Sequence, residues 1–246
     1  EDFEYFDSKS RTWKLKEGVV DSSPLSDTPR PGNAKFKKLT PVDPNSTNPY
    51  QLTEADRTVI GNTTPKFSGG FGLNATYKGF DMSMFFNFMY DFDVLNANKI
   101  MLTTWADNKE NNFLMDIASD KRWRNFDDMG NEIRYSPEVL AEFNKNATMW
   151  NPTSIGRPIC MSYAVEDGSF LRLNSATLGY TLPSVWTKKV GLSKVRFYVS
   201  GNNLFTLTGY SGYDPEVNIA TGLTPNIDYN RYPRSRTYTF GAQLTF

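Results

Sequence analysis

Apolar and polar residues alternate with a period of two along five stretches of this chain, the repeat of a β-strand whose two faces meet different surroundings. Residues 79–92 are the clearest. Phe80, Met82, Met84, Phe86, Phe88, Tyr90 and Phe92 hold the even positions, with Asp81, Ser83, Asn87 and Asp91 among the odd ones. Residues 66–78 place Phe67, Gly69, Phe71, Leu73, Ala75 and Tyr77 on one face and Lys66, Ser68, Asn74, Thr76 and Lys78 on the other. Lys78-Gly79 between them reads as a tight hairpin turn. In 194–207 one face carries Val195, Phe197, Val199, Gly201, Phe205 and Leu207, with Asn203 the only misfit. In 168–182, Leu171 and Leu173 share one phase and Ala176, Leu178, Tyr180 and Leu182 the other, so a β-bulge near Asn174-Ser175 is expected. The last stretch, 235–246, sets Tyr238, Phe240, Ala242, Leu244 and Phe246 against Thr237, Thr239, Gly241, Gln243 and Thr245.

These strands exceed the ~5–6 residues usual in globular sheets. Their connections alternate: a two-residue turn at 78–79, a long segment 93–167, a short connection 183–193 and a longer one over 208–234. Short turns at one end and long loops at the other is the layout of an outer-membrane barrel. In the long segment, Ser136-Pro137-Glu138-Val139 predicts an N-cap and a short helix through Phe143. Residues 1–65 read mostly as loop, with one further strand available near 12–20.

Composition narrows the chemistry. The 246 residues hold 27 Lys+Arg and 27 Asp+Glu, which removes the broad basic field of a nucleic-acid binder. No histidine is present, which removes His triads, His general bases and His metal sites within these residues. The single Cys160 removes an internal disulfide. Apolar runs such as Met84-Phe85-Phe86 stop far short of the ~20 residues of a spanning helix, and the start, Glu1-Asp2-Phe3, lacks signal-peptide character. Aromatics are abundant, at 15%.

Several motifs resemble those of SusC/RagA-like TonB-dependent outer-membrane transporters of Bacteroidota. They are Asp56-Arg57-Thr58-Val59-Ile60-Gly61-Asn62 with Pro65 to Phe71, Tyr77-Lys78-Gly79-Phe80-Asp81, Ser169 to Leu173 continuing through Leu178 to Pro183, Val195 to Phe205, and Gly209-Tyr210-Ser211-Gly212-Tyr213-Asp214-Pro215-Glu216. The resemblance covers roughly 30–246 and is that of a C-terminal part. It implies an all-β fold, an antiparallel transmembrane β-barrel section of a larger, plugged barrel of the 22-stranded kind. It also implies import of oligosaccharides or peptides without catalysis. The implied partners are a SusD-like surface lipoprotein lid, the plug and N-terminal strands, the TonB complex through a segment outside this chain, and outer-membrane lipid. The C-terminus is then periplasmic. The family's calcium-loop-like stretch has no counterpart in Leu39–Pro49, which holds one carboxylate and no glycine, so no metal site is expected. No cofactor is expected either.

Loop aromatics and their neighbours are the candidate contacts for substrate or lid: Trp105, Trp123, Trp150, Tyr210, Tyr213, Asp214, Tyr229, Arg231 and Tyr232. Aromatic faces stack on sugar rings or bury peptide side chains; the competing reading is that these rings pack the loops. The carboxylate pairs Asp127-Asp128 and Glu166-Asp167 read as solvated loop charge. Tyr238, Phe240, Leu244 and Phe246 resemble the terminal-strand signal for barrel assembly. The alternative function is a soluble β-sandwich module that binds glycans with the same aromatics.

Overall fold

The computed structural model describes residues 2–104, 112–117, 120–155, 159–217 and 225–246. In chain order its strands and helices are β1 (Phe3–Asp7), β2 (Thr12–Leu15), β3 (Phe67–Tyr77), β4 (Phe80–Tyr90), β5 (Asp93–Asn96), α1 (Ala97–Met101), α2 (Pro137–Phe143), β6 (Val165–Asp167), β7 (Phe170–Thr181), α3 (Ser184–Thr187), β8 (Lys194–Thr208), β9 (Ile227–Asp228) and β10 (Thr237–Thr245). The chain divides into two compact units, Glu1–Ile60 with Ala97–Ala164 and Gly61–Asn96 with Val165–Phe246.

The second unit is built on a five-stranded sheet in the order β10-β8-β7-β4-β3, every neighbouring pair antiparallel. Directly paired residues point to the same face, so the register tells which side chains share a surface. One rung runs Ala75, Met82, Leu178, Val199, Phe240, and the next runs Tyr77, Phe80, Tyr180, Phe197, Ala242. The rungs between them, on the opposite face, are Asn74, Ser83, Thr177, Ser200, Thr239 and Thr76, Asp81, Gly179, Tyr198, Gly241. Five separately alternating sequences thus add up to one apolar and one polar surface. Phe71, Leu73, Phe80, Leu178, Phe197 and Phe240 are exposed on the apolar surface. The edges, β3 and β10, each have one neighbour among the described residues.

Glycine supplies room on the polar face. The ring of Tyr198 lies where a side chain at Gly241 would stand, and that of Phe85 lies over Gly70. At Gly179 the gap lets Arg196 reach across β7 to Asp81, where Nε donates at 2.9 Å and Nη2 makes a second bond.

The phase change along β7 is a bulge. Phe85 pairs with Ser175 and Phe86 with Leu173, leaving Asn174 as the extra residue. Across β7 and β8, Leu173 pairs with Phe205 and Ser175 with Asn202, so β8 accommodates Asn203 and Leu204 there. Asn203 has φ of 54°, a conformation Asn tolerates, and its Nδ2 donates to the Ser235 carbonyl at 3.1 Å. Its polar character in an apolar phase is therefore a mark of the bulge.

In the first unit, β1 and β2 form a hairpin with Trp13 packed against Phe3 and Phe6, at centroid distances of 5.7 and 5.4 Å. The second strand ends at Leu15, short of the 12–20 span available in the sequence. α2 begins at Pro137, and Ser136 occupies the N-cap position without a side-chain cap bond. Asp56 organises the neighbouring loop. Its carboxylate accepts the backbone N–H groups of Leu39, Thr40 and Thr53 at 2.7–2.9 Å and faces Lys38 Nζ at 3.4 Å. The Thr40 backbone bond foremost, with the other donors, holds this carboxyl far below its ordinary range despite burial.

The β3–β4 turn generates a test. Lys78 and Gly79 both have positive φ, 45° and 88°, as the twist-matched two-residue hairpin requires, and a Cβ at Gly79 would stand 2.9 Å from the Thr181 carbonyl. Gly79→Ala is expected to lose about 1–2 kcal/mol of unfolding free energy, while Lys78→Asn holds or gains stability. Equal losses in a denaturant titration of the folded protein would contradict this turn.

Candidate functional site

Beyond the second unit's five-stranded sheet, β4 turns at Asp91 and Phe92 into β5. This short strand pairs antiparallel with β6 and parallel with β9. Phe92, Val94, Phe170, Tyr210 and Val217 close a small apolar core there, with Met89 against it. Tyr210 is 6% exposed and its hydroxyl donates to Asp228 Oδ2 at 2.7 Å. Burial first, and that hydrogen bond second, push its phenol well above the ordinary value. Four residues on, Asp214 is 7% exposed and accepts from Arg172 Nη2 and from the Glu216 backbone N–H, the latter at 2.9 Å. Burial alone raises the Asp214 carboxyl, but the Arg172 bond, the Glu216 N–H and the guanidinium charge outweigh it and leave the group below its ordinary value. Glu216 lies 3.6 Å from Arg172 Nε and 2.7 Å from Arg234 Nη2. Glu166 takes the Ser211 backbone N–H at 2.9 Å and its hydroxyl at 2.8 Å. The 209–216 motif is thus a strap tied at Tyr210, Ser211, Asp214 and Glu216.

These ties sort the sequence candidates. Tyr210 and Asp214 are internal anchors rather than surface contacts, since each side chain is buried against a named partner. Tyr213, between them, is 84% exposed, and Tyr229 and Tyr232 are exposed as well. Arg231 is half-buried, and its Nη1 has no hydrogen-bond partner among the described residues. Glu166 corrects the solvated-charge expectation; Arg172 and Asp228 carried no expectation at all. Arg172 falls in the polar phase of its strand, where one more charge looks ordinary, and its partner lies 42 residues on.

In the first unit, Trp123 and Trp150 lie on adjoining segments, joined by the Trp123 N–H to Met149 carbonyl bond of 2.8 Å. The Trp123 ring rests on Gly32, which has φ of 86° and no side chain to obstruct it. Trp150 packs edge-on against Tyr163 and donates Nε1 to the Thr103 carbonyl at 3.0 Å. Both rings are half-buried packing residues in this unit. Asp127 caps its own turn by accepting the backbone N–H groups of Met129 and Asn131, and Asp128 pairs with Arg124. Trp105 lies outside the described residues.

Arg172→Met is expected to leave Asp214 buried without its cation. Breaking one side of a buried pair typically costs about 3–5 kcal/mol, so hydrogen exchange over 209–217 should accelerate strongly. Arg172→Met with Asp214→Leu should restore much of the protection. Because the Asp214 carboxyl is held low, its contribution is full above the free value near ~3.9 and is lost as pH falls through the lower folded value. Exchange in the single variant no faster than in the double would contradict the tie.

No family model matches the chain. TonB-dependent receptor P3 of Formosa agariphila is 35% identical over 202 residues, covering 80% of this chain and 18% of that receptor. TonB-dependent receptor SusC of Bacteroides thetaiotaomicron is 38% identical over 88 residues, covering 34% of this chain and 8% of that receptor. Among solved structures, the RagAB peptide importer in its open-open state superposes with a TM-score of 0.58 at 25% identity, covering 82% of this chain and 20% of that one. This chain therefore spans about a fifth of the length of receptor P3 and of the RagAB chain it superposes on. The shared sequence and the shared antiparallel sheet place it in the SusC/RagA-like TonB-dependent transporters, as a section of one.

Proposed function

We propose that these residues form the C-terminal part of the barrel wall of an outer-membrane importer for oligosaccharides or peptides, energised through TonB by a segment outside this chain. The observation that carries the reading is the two-faced sheet: apolar rungs left exposed on one side, polar rungs on the other. Lipid meets the first face and the water-filled, plugged lumen the second. A soluble sandwich requires a second sheet packed about 10 Å above such an apolar face, and exposed Phe71, Leu73 and Phe240 do not support one. The edge strands β3 and β10 take their missing neighbours from the rest of the transporter, because unpaired backbone is very costly in lipid.

In this reading the hairpin turn 78–79 and the connection 183–193 face the periplasm, and the tied strap of 209–216 faces outward. The strap offers Tyr213, with Tyr229 and Tyr232 further along, to substrate or to a SusD-like lipoprotein lid. Tyr238, Phe240, Leu244 and Phe246 act as the recognition signal for barrel assembly. No bond is made or broken by this section; its work is to bind and to pass.

Two tests follow. Met84 and Ser83 are neighbours at one depth on opposite faces. Met84→Lys should cost about 2–4 kcal/mol if it lies near the bilayer midplane, and Ser83→Lys little. Equal loss in a bilayer-based folding assay sinks the wall assignment. Separately, Tyr213→Ala with Tyr229→Ala and Tyr232→Ala should lower uptake or lid recovery several-fold while heat-modifiable migration, the mark of an assembled barrel, stays normal. Wild-type uptake and lid recovery would remove these tyrosines from the contact surface.

A further inference from the structure

The connection from β7 to β8 is longer than its task needs. β3 and β4 are joined by two residues at the same end of the sheet, as the Thr181 N–H to Gly79 carbonyl bond of 2.7 Å shows. Residues 183–193 instead form α3, a 3₁₀ turn over Lys188–Val190, and a left-handed Gly191 with φ of 74°. Thr187 turns inward, with its hydroxyl 3.3 Å from the Ser184 carbonyl. The residues around it face out: Val185 is 69% exposed, Trp186 59% and Val190 70%. Lys188 and Lys189 are exposed between them, and no ion pair among the described residues uses either. From Leu182 to Val195 the chain carries three lysines and no carboxylate.

We infer that this connection is an interfacial anchor for an anionic phospholipid leaflet, with Trp186, Val185 and Val190 in the boundary between head groups and acyl chains and Lys188 and Lys189 on lipid phosphates. The inference rests on the barrel-wall reading. Three features point to lipid as the occupant. The apolar rung Tyr77, Phe80, Tyr180, Phe197, Ala242 lies close to this end, so the surface assigned to lipid reaches the level of the connection. The unpaired lysines complement phosphate charge, and the Trp and valines beside them give the amphipathic mixture that settles at a bilayer interface. The connection joins two interior strands, β7 and β8, so strands added at either edge of the sheet do not lie next to it. The chain's last residues meet it as well: Ser193 N–H donates to the Thr245 carbonyl at 2.8 Å and its hydroxyl to the Phe246 carbonyl at 3.2 Å.

The test uses the full-length transporter with its native thiols replaced, reconstituted into phosphatidylethanolamine vesicles with and without phosphatidylglycerol. A thiol-reactive fluorophore is placed by Trp186→Cys, and separately by Val190→Cys, Met84→Cys and Tyr213→Cys. At 186 and 190, quenchers carried on lipid chains should reduce emission several-fold while aqueous iodide has little effect; at 213 the order should reverse. Lys188→Glu with Lys189→Glu should weaken lipid quenching at 186, most in the vesicles containing phosphatidylglycerol. Iodide-accessible, lipid-insensitive labels at 186 and 190 overturn the anchor, as does protection from both quenchers, the outcome of a protein partner. Lipid quenching at 186 that ignores both phosphatidylglycerol and the charge reversal overturns the phosphate contact. Met84 separates the two levels: if its label also fails to meet lipid, the barrel-wall reading itself falls.

Discussion

A sheet of one layer has no core of its own. Backbone N–H and C=O groups between neighbouring strands are satisfied sideways, those along the two edges need a further neighbour, and every side chain must be satisfied by whatever lies above or below. The five long strands of this chain follow that constraint along most of their length, with apolar side chains collected on one surface and hydroxyls, amides, glycines and the Arg196–Asp81 pair on the other, where Phe85 and Met89 are apolar exceptions. Such a sheet needs two different surroundings, one apolar and one polar. A bilayer on one side and water on the other meet that condition, and the lateral hydrogen bonds then count for more than in a soluble sheet, because lipid offers the backbone no substitute.

The same constraint explains where irregularity is allowed. On the polar face, large side chains from one strand lie over glycines of the next, so that Tyr198 covers Gly241 and Arg196 crosses Gly179 to reach Asp81. Bulges at Asn174 and at Asn203-Leu204 shift the register without breaking the ladder. Where the strands leave the sheet, charged pairs and buried hydroxyls take over. Arg172 to Asp214 and Tyr210 to Asp228 hold the strap of 209–216 against a small apolar core and leave Tyr213 outside it.

The long strands are legible in the sequence because each face has a single, constant neighbour, so alternation runs uninterrupted for a dozen residues. The bulge at Asn174 is legible for the same reason, as a slip of phase between Leu173 and Ala176. That at Asn203 is hidden, because two inserted residues restore the phase and leave only a polar residue out of place. Of the first hairpin only β2 is readable, inside the 12–20 span; β1 is not, because the register shifts between Phe3 and Tyr5 and the apolar residues pack around Trp13 rather than along a continuous face. At the candidate site, Tyr210 and Tyr213 look alike in sequence. What separates them is a carboxylate 18 residues on, and no local pattern announces a partner at that range. Glu166 is misread for the same reason, since Ser211 lies 45 residues away.

If one face of this sheet meets lipid and the other water, the two phases exchange along β7 across the Asn174 bulge. Spin labels placed singly from Phe170 to Thr181 in the reconstituted transporter test it directly, by comparing collision with oxygen, which concentrates in lipid, and with a water-soluble nickel complex. Oxygen access is expected at 171 and 173, nickel access at 175, 177 and 179, and oxygen access again at 176, 178 and 180. A single unbroken parity along the strand, or nickel access at every position, would contradict it.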